Sequence, residues 1–159
     1  MQRGKWSISG VPHKDWVCEG VEDLGAPDSI CQMCESQPVR FVHYMSHKDY
    51  NQILECGCDC AGHMEGNSAR ADSRDKSMRN NAARRRNFPN LKGWKVSAKG
   101  NPYLRKDGMS ITIFKKKLRW LFVINHPKFR DGIFSQRQYI SEIQAKQAAF
   151  DMMTWLSNN

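Results

Sequence analysis

The turn Cys31-Gln-Met-Cys34 is answered, one hairpin's length later, by Cys56-Gly-Cys58-Asp-Cys60-Ala-Gly-His63. Two thiolates on one tight turn can reach one ion. A second pair returning from a distance completes the four Cys or His ligands that structural Zn²⁺ takes as a tetrahedron. Five of the six cysteines fall between Cys31 and Cys60, and Cys18 stands apart. The opening residues Met1-Gln2-Arg3-Gly4-Lys5-Trp6 lack the apolar core of a secretory signal, so the expected compartment is the cytosol. Under reducing conditions such a cluster reads as a metal site rather than a disulfide framework.

The expected ligands are Cys31, Cys34, Cys58 and Cys60, with His63 and then His47 as substitutes for the fourth. Cys60 and His63 would face the same way if a helix begins there. Cys18 and Cys56 are read as packed thiols, since free cysteine is often buried as a small hydrophobe. The zinc is expected to be structural. A catalytic ion needs an open position and a nearby base, and neither H-E-x-x-H nor the H-x-E…P-C-x-x-C deaminase pattern occurs.

Outward from the cysteines, Val39-Arg-Phe-Val-His-Tyr-Met45 has the β-branched and aromatic content of a strand. Ser46 to Asn51 is polar and turn-like, and Ile53-Leu54 begins a second short strand that runs into the cluster. Residues 1–65 are therefore read as a zinc-binding hairpin module, loop-rich at its start where Pro12, Gly20, Gly25 and Pro27 punctuate the chain. Residues 66–92 are read as a basic helical connector without an apolar stripe, ended by Phe88-Pro89-Asn90. A helix polar almost all round bridges solvent or awaits a partner.

Residues 93–159 read as a compact sheet and helix. Trp94-Lys-Val-Ser is a possible strand, and Asp107-Gly108 marks a turn. Met109, Ile111 and Ile113 alternate with Ser110 and Thr112, as in a half-buried strand. Lys115 to Lys117 form the expected hairpin tip, Arg119 to Asn125 the return strand, and Phe134 to Ile140 a third strand. Ser141-Glu-Ile-Gln144 has capping-box form. The helix after it places Ala145, Ala148, Ala149, Met152 and Trp155/Leu156 on one stripe. The expected fold class is α+β: the zinc module, the basic connector, and an antiparallel sheet of three to four strands covered by one helix.

Ser29-Ile-Cys31-Gln-Met-Cys34, Val39-Arg-Phe-Val-His43-Tyr-Met-Ser-His47 and Gly57-Cys58-Asp-Cys60-Ala61-Gly-His63-Met-Glu65 together resemble a group of uncharacterised bacterial and phage-borne small proteins with a zinc-ribbon-like start. Ser97-Ala-Lys-Gly-Asn101, Asp107-Gly108 and Ala145-Lys-Gln-Ala-Ala-Phe-Asp151 are similar to the same group's C-terminal part. The resemblance spans nearly the whole chain and implies the zinc and the division of the chain, but no catalytic residues. Cys56 is an addition to that pattern.

Charge suggests what the chain meets. Residues 1–65 hold 5 Lys/Arg and 10 Asp/Glu, net −5, and residues 66–159 hold 20 and 6, net +14. A strongly basic half points to nucleic acid or a nucleoprotein complex, because Lys and Arg neutralise phosphates and release counterions. Arg79, Arg84, Arg85, Arg86, Lys115, Lys116 and Lys117 are the expected contacts, with Trp94, Tyr103 and Trp120 as candidates to stack on bases. For Trp120, core packing is the competing role, because it sits in an alternating strand. The alternative function is an adaptor or inhibitor of the anti-defence type, carried by a phage or mobile element and acting on a host protein. His43, His47, Asp49 and Asp59 form no spacing that compels an enzyme, so the chain is read as non-catalytic, without a small-molecule substrate. No apolar run approaches the ~18 residues of a membrane helix, and no membrane partner is expected.

Overall fold

The computed structural model describes residues 3–158. The described residues are α+β, with four α-helices and antiparallel sheets. The chain divides into two compact units, Met1–Asn81 and Ala82–Asn159, each with its own apolar core.

Unit one opens with a single 3-10 turn, Gly4–Ser7, followed by β1 (Val17–Asp23), β2 (Ser29–Ile30), β3 (Pro38–Val39), β4 (Phe41–His47), β5 (Tyr50–Cys56), α1 (Cys58–Glu65) and α2 (Ser68–Asn80). The main sheet has the order β1-β4-β5, and β2 and β3 form a small ladder beneath the cysteine turn. In β4 four consecutive residues, Val42 to Met45, are buried. Burial on both parities means that this strand is covered on both faces. The β4–β5 hairpin is the one expected from sequence. Strand β1 is not, because it carries Glu22 and Asp23, which look like surface residues. Both are buried and satisfied: Tyr44 Oη donates to Glu22 at 2.8 Å, and the Arg40 guanidinium donates to both oxygens of Asp23.

Unit two comprises α3 (Ala82–Asn87), a 3-10 turn at Phe88–Asn90, β6 (Lys95–Val96), β7 (Pro102–Lys106), β8 (Met109–Lys116), β9 (Arg119–His126), β10 (Phe129–Phe134) and α4 (Glu142–Ser157). The five strands form one meander in the order β10-β9-β8-β7-β6. The expected three to four strands are thus five. The third long strand ends, rather than begins, at Phe134, and Tyr139 meets Trp120 in an isolated bridge and is buried in the same core. Strand β7 was hidden by its proline and its two cations. Pro102 stands at its first position, where a missing N–H is tolerated. Asp107 and Gly108 both have positive φ, +54° and +78°, the twist that a tight hairpin turn needs.

Helix α4 is capped as its sequence foretells: Gln144 N donates to Ser141 Oγ at 3.2 Å, and Ile140 N donates to Gln144 Oε1. It buries Ala145, Ala148, Ala149, Met152 and Leu156 against Leu104, Ile111, Ile113, Phe122 and Ile124. Phe150, Asp151 and Met153 are buried as well, so the covered stripe is wider than the expected one.

The stretch 66–92, read as a connector, is divided between the units. Helix α2 belongs to unit one and joins its core through Ala71, while α3 leads into the buried Phe88 and Pro89 of unit two. Polar composition concealed this, because α2 is held chiefly by ion pairs and hydrogen bonds.

Candidate metal centre

Cys31 and Cys34 sit on the turn after β2. Glu35 N donates to Cys31 O at 2.8 Å and Cys31 N donates to Gln37 O at 2.9 Å, closing the loop. Cys60 lies in the first turn of α1, whose N-cap is Gly57. The three sulfurs of Cys31, Cys34 and Cys60 lie within 4.8 Å of one another and could hold a metal ion. Cys31 and Cys60 are buried, and Cys34 is half-buried.

Cys56, the last residue of β5, stands beside Cys31 and is fully buried. The thiols of Cys56 and Cys60 share hydrogen bonds with the Cys31 sulfur. These hydrogen bonds lower the pKa of Cys31 and raise those of its two partners. The backbone N–H groups of Cys34 and Gly57 also point at the Cys31 sulfur, and that of Met33 points at Cys56. A bound cation would take the place of the shared protons, since metal-ligating thiols are deprotonated. Three thiols that converge from a turn and a helix start, two of them buried, fit a soft-ligand structural site, and Cys56 stands next to one of them, Cys31.

The 3-10 turn at the N-terminus closes over this cluster. Trp6 is buried, and its indole Nε1–H donates to Cys60 Sγ at 3.4 Å. Lys5 N donates to Met33 O at 2.7 Å. Gly4 has φ +61°, and a Cβ there would meet the backbone of Cys34 at 2.6 Å. Composition gave no hint of this lid, because glycine, lysine and tryptophan near a chain start carry no metal signature.

Cys58, one of the expected ligands, lies outside the group formed by Cys31, Cys34 and Cys60. Its sulfur lies with His43 and Asp75, in a second group whose donor atoms are within 4.8 Å of one another. The Cys58 thiol donates to Asp72 Oδ1 at 3.0 Å, and burial with the neighbouring carboxylates pushes its pKa up to about 12. That group has a hydrogen-bonding explanation. Arg74 Nε–H donates to His43 Nδ1 at 3.2 Å, so the imidazole proton sits on Nε2, 3.1 Å from Asp75 Oδ1. Both ring nitrogens are engaged, and His43 has no lone pair to offer an ion or the thiol. Arg74 also pairs with Glu65 through two guanidinium nitrogens. The substitutes for the fourth ligand lie elsewhere too: His63 is exposed, and His47 Nδ1 accepts from Asp49 N at 2.9 Å. Cys18 is a packed thiol, with a pKa raised by burial to about 11.

The basic residues separate. Arg79 belongs to unit one, where it pairs with Asp75 at 3.1 Å and lies over the Phe41 ring. In unit two, Arg84 and Arg86 are exposed, with Arg84 over the Phe150 ring. Arg85 turns inward and donates to both oxygens of Asp151, at 3.0 and 3.1 Å. Its guanidinium is thereby held inside unit two, with 14% of the side chain exposed. Lys115, Lys116 and Lys117 are exposed. Lys115 and Lys116 end β8, Lys115 lies over the Trp120 ring, and only Lys117 is in the turn. Trp94 and Trp120 pack against the core of unit two, as foreseen for Trp120.

No protein-family model, curated protein or solved structure matches this chain. Among the described residues, no helix is long and apolar enough to cross a membrane.

Proposed function

We propose that this protein is a non-catalytic, zinc-stabilised binder of nucleic acid or a nucleoprotein complex. Zn²⁺ would be held by Cys31, Cys34 and Cys60, with Cys56 as the fourth ligand in place of Cys58. The observation that carries the binding role is the segregation of charge along the unit boundary. Residues 1–81 hold 9 Lys/Arg against 12 Asp/Glu, net −3, and residues 82–159 hold 16 against 4, net +12. Two of the four carboxylates of unit two are spoken for, Asp151 by Arg85 and Glu142 by Lys146. A unit so rich in exposed cations repels itself, and a polyanion relieves that repulsion. A structural role for the ion is supported by the burial of Cys31, Cys56 and Cys60 in the core of unit one, with the half-buried Cys34 packed against it. When bound, the ion supplies cross-links between the cysteine turn, β5 and α1.

Fluorescence anisotropy of the zinc-loaded protein against DNA and RNA, across a salt series, tests this reading. Affinity should fall steeply as salt rises, by roughly tenfold or more between low and physiological ionic strength. Absence of binding at low salt would reject it and direct attention to an acidic protein partner.

A further inference from the structure

One face of the five-stranded sheet is filled by α4, and the other carries a distinct set of side chains. Strand register places Lys95, Tyr103, Thr112, Val123 and Phe134 in one row across all five strands. The parity of β8 shows that this row faces away from α4: Ile111 and Ile113 are fully buried, and Thr112 between them is not. To one side of the row lie Arg105, Ser110 and Asn125. To the other lie Phe114 with Leu121, then Lys116 with Arg119 at the turn. Phe114 and Phe134 meet edge to face, their centroids 6.3 Å apart, and Phe134 is 55% exposed.

The face thus carries Tyr103, Phe114 and Phe134, with Thr112 and Val123 among them, between cationic ends. None of the four carboxylates of unit two stands in these rows. At the Arg105 end, the β7–β8 and β9–β10 turns border an open cleft of about 760 Å³, whose lining includes Arg105, Lys106, His126 and Arg130, with Asp107 as its one carboxylate. Cations at the rim suit phosphates, and one exposed ring, Phe134, together with the half-buried Tyr103 and Phe114, suits bases, since every base has a face on which an aromatic ring can stack. Width separates the two forms of nucleic acid. Five strands at ~4.8 Å spacing make a face ~19 Å across, broader than the ~12 Å major groove. A duplex groove does not admit such a face flat, whereas an unpaired strand can lie on it.

We propose that the sheet face opposite α4 binds single-stranded nucleic acid. Bases would stack on Tyr103, Phe114 and Phe134, and phosphates would lie on Arg105, Lys116 and Arg119. This rests on reading unit two as the nucleic-acid-binding half, and the two ideas can fail separately. The test is anisotropy of the full-length, zinc-loaded protein with labelled oligothymidylate, oligouridylate and a mixed-sequence duplex. Single strands should bind more tightly than the duplex. Phe134→Ala and Tyr103→Ala should each weaken single-strand binding roughly tenfold, with circular dichroism unchanged. Arg84→Glu with Arg86→Glu should weaken all three probes alike, as a general phosphate contact does. Should the aromatic variants misfold, photocrosslinking of a 4-thiouridine-bearing strand to the wild type reads the same contact, with adducts expected on β7, β8 or β10. Adducts confined to α3, wild-type affinity in well-folded aromatic variants, or a preference for duplex would overturn the sheet-face proposal and leave the general reading standing. No binding of any probe by the wild type would overturn both.

Discussion

The side chains around the metal centre make sharp predictions one residue at a time. Cys58 and Cys56 differ in sequence by two places, yet one faces Asp72 and the other Cys31. Cys31→Ser and Cys60→Ser should release zinc and unfold unit one, because ligand binding and folding are linked. Cys56→Ser should do the same, whereas Cys58→Ser should retain a full equivalent, as measured by mass spectrometry of the native protein. Retention of zinc by Cys56→Ser together with its loss from Cys58→Ser would restore the ligand set expected from spacing. Gly4 is the other telling position. It combines φ +61° with backbone atoms of Met33 and Cys34 within 2.7 Å of any added Cβ. Gly4→Ala should therefore cost about 2 kcal/mol or more, seen as a lowered midpoint of thermal unfolding. An unchanged midpoint would mean that the lid contributes nothing to the centre.

Among the elements, α2 shows how a helix without an apolar face can still be fixed in place. Its docking depends on Arg74, which reaches Glu65 and His43 at once and is almost wholly buried with Glu65. Removing one partner of a buried pair strands the other charge. Arg74→Ala should therefore destabilise unit one by about 3 kcal/mol, read from urea denaturation. Arg79 on the same helix is 64% exposed, and its pair with Asp75 is an ordinary i,i+4 surface bridge. Arg79→Ala should change stability by about 0.5 kcal/mol or less. Equal effects of the two would show that α2 is held by something other than the Arg74 network. In α4 the local chemistry agrees with the global fold: Ser141 caps it, small alanines let it approach the sheet, and its apolar repeat was plain in the sequence.

For the molecule as a whole, two separate cores imply two separate responses to metal. The cluster around Cys31, Met33, Cys56 and Met64 includes the centre, while that around Ile111, Phe122 and Phe150 has no cysteine. Chelation should therefore abolish hydrogen-exchange protection in β4, β5 and α1 and leave β8 and β9 protected. Loss of protection in both units at once would mean that they fold as one. The net +12 of the second unit is retained after chelation, so weak, salt-sensitive association with polyanions should persist in the metal-free protein.

By itself the sequence determined the α+β class, the pairing of Cys31 and Cys34 with Cys60, the β4–β5 hairpin, the β8–β9 pair and the capped α4. Each is written in short-range periodicity or spacing, which local physics reads without knowledge of the rest of the chain. Tertiary structure alone decided which thiols converge. Along an extended run Cys56, Cys58 and Cys60 share a face, but α1 begins at Cys58 and rotates Cys58 away from Cys60. It also made β1 a strand, by supplying Tyr44 and Arg40 to the buried Glu22 and Asp23, and it turned Arg85 from a surface cation into the partner of Asp151. In each case a charged or polar residue looks exposed until a distant partner is brought beside it. Only the folded chain does that.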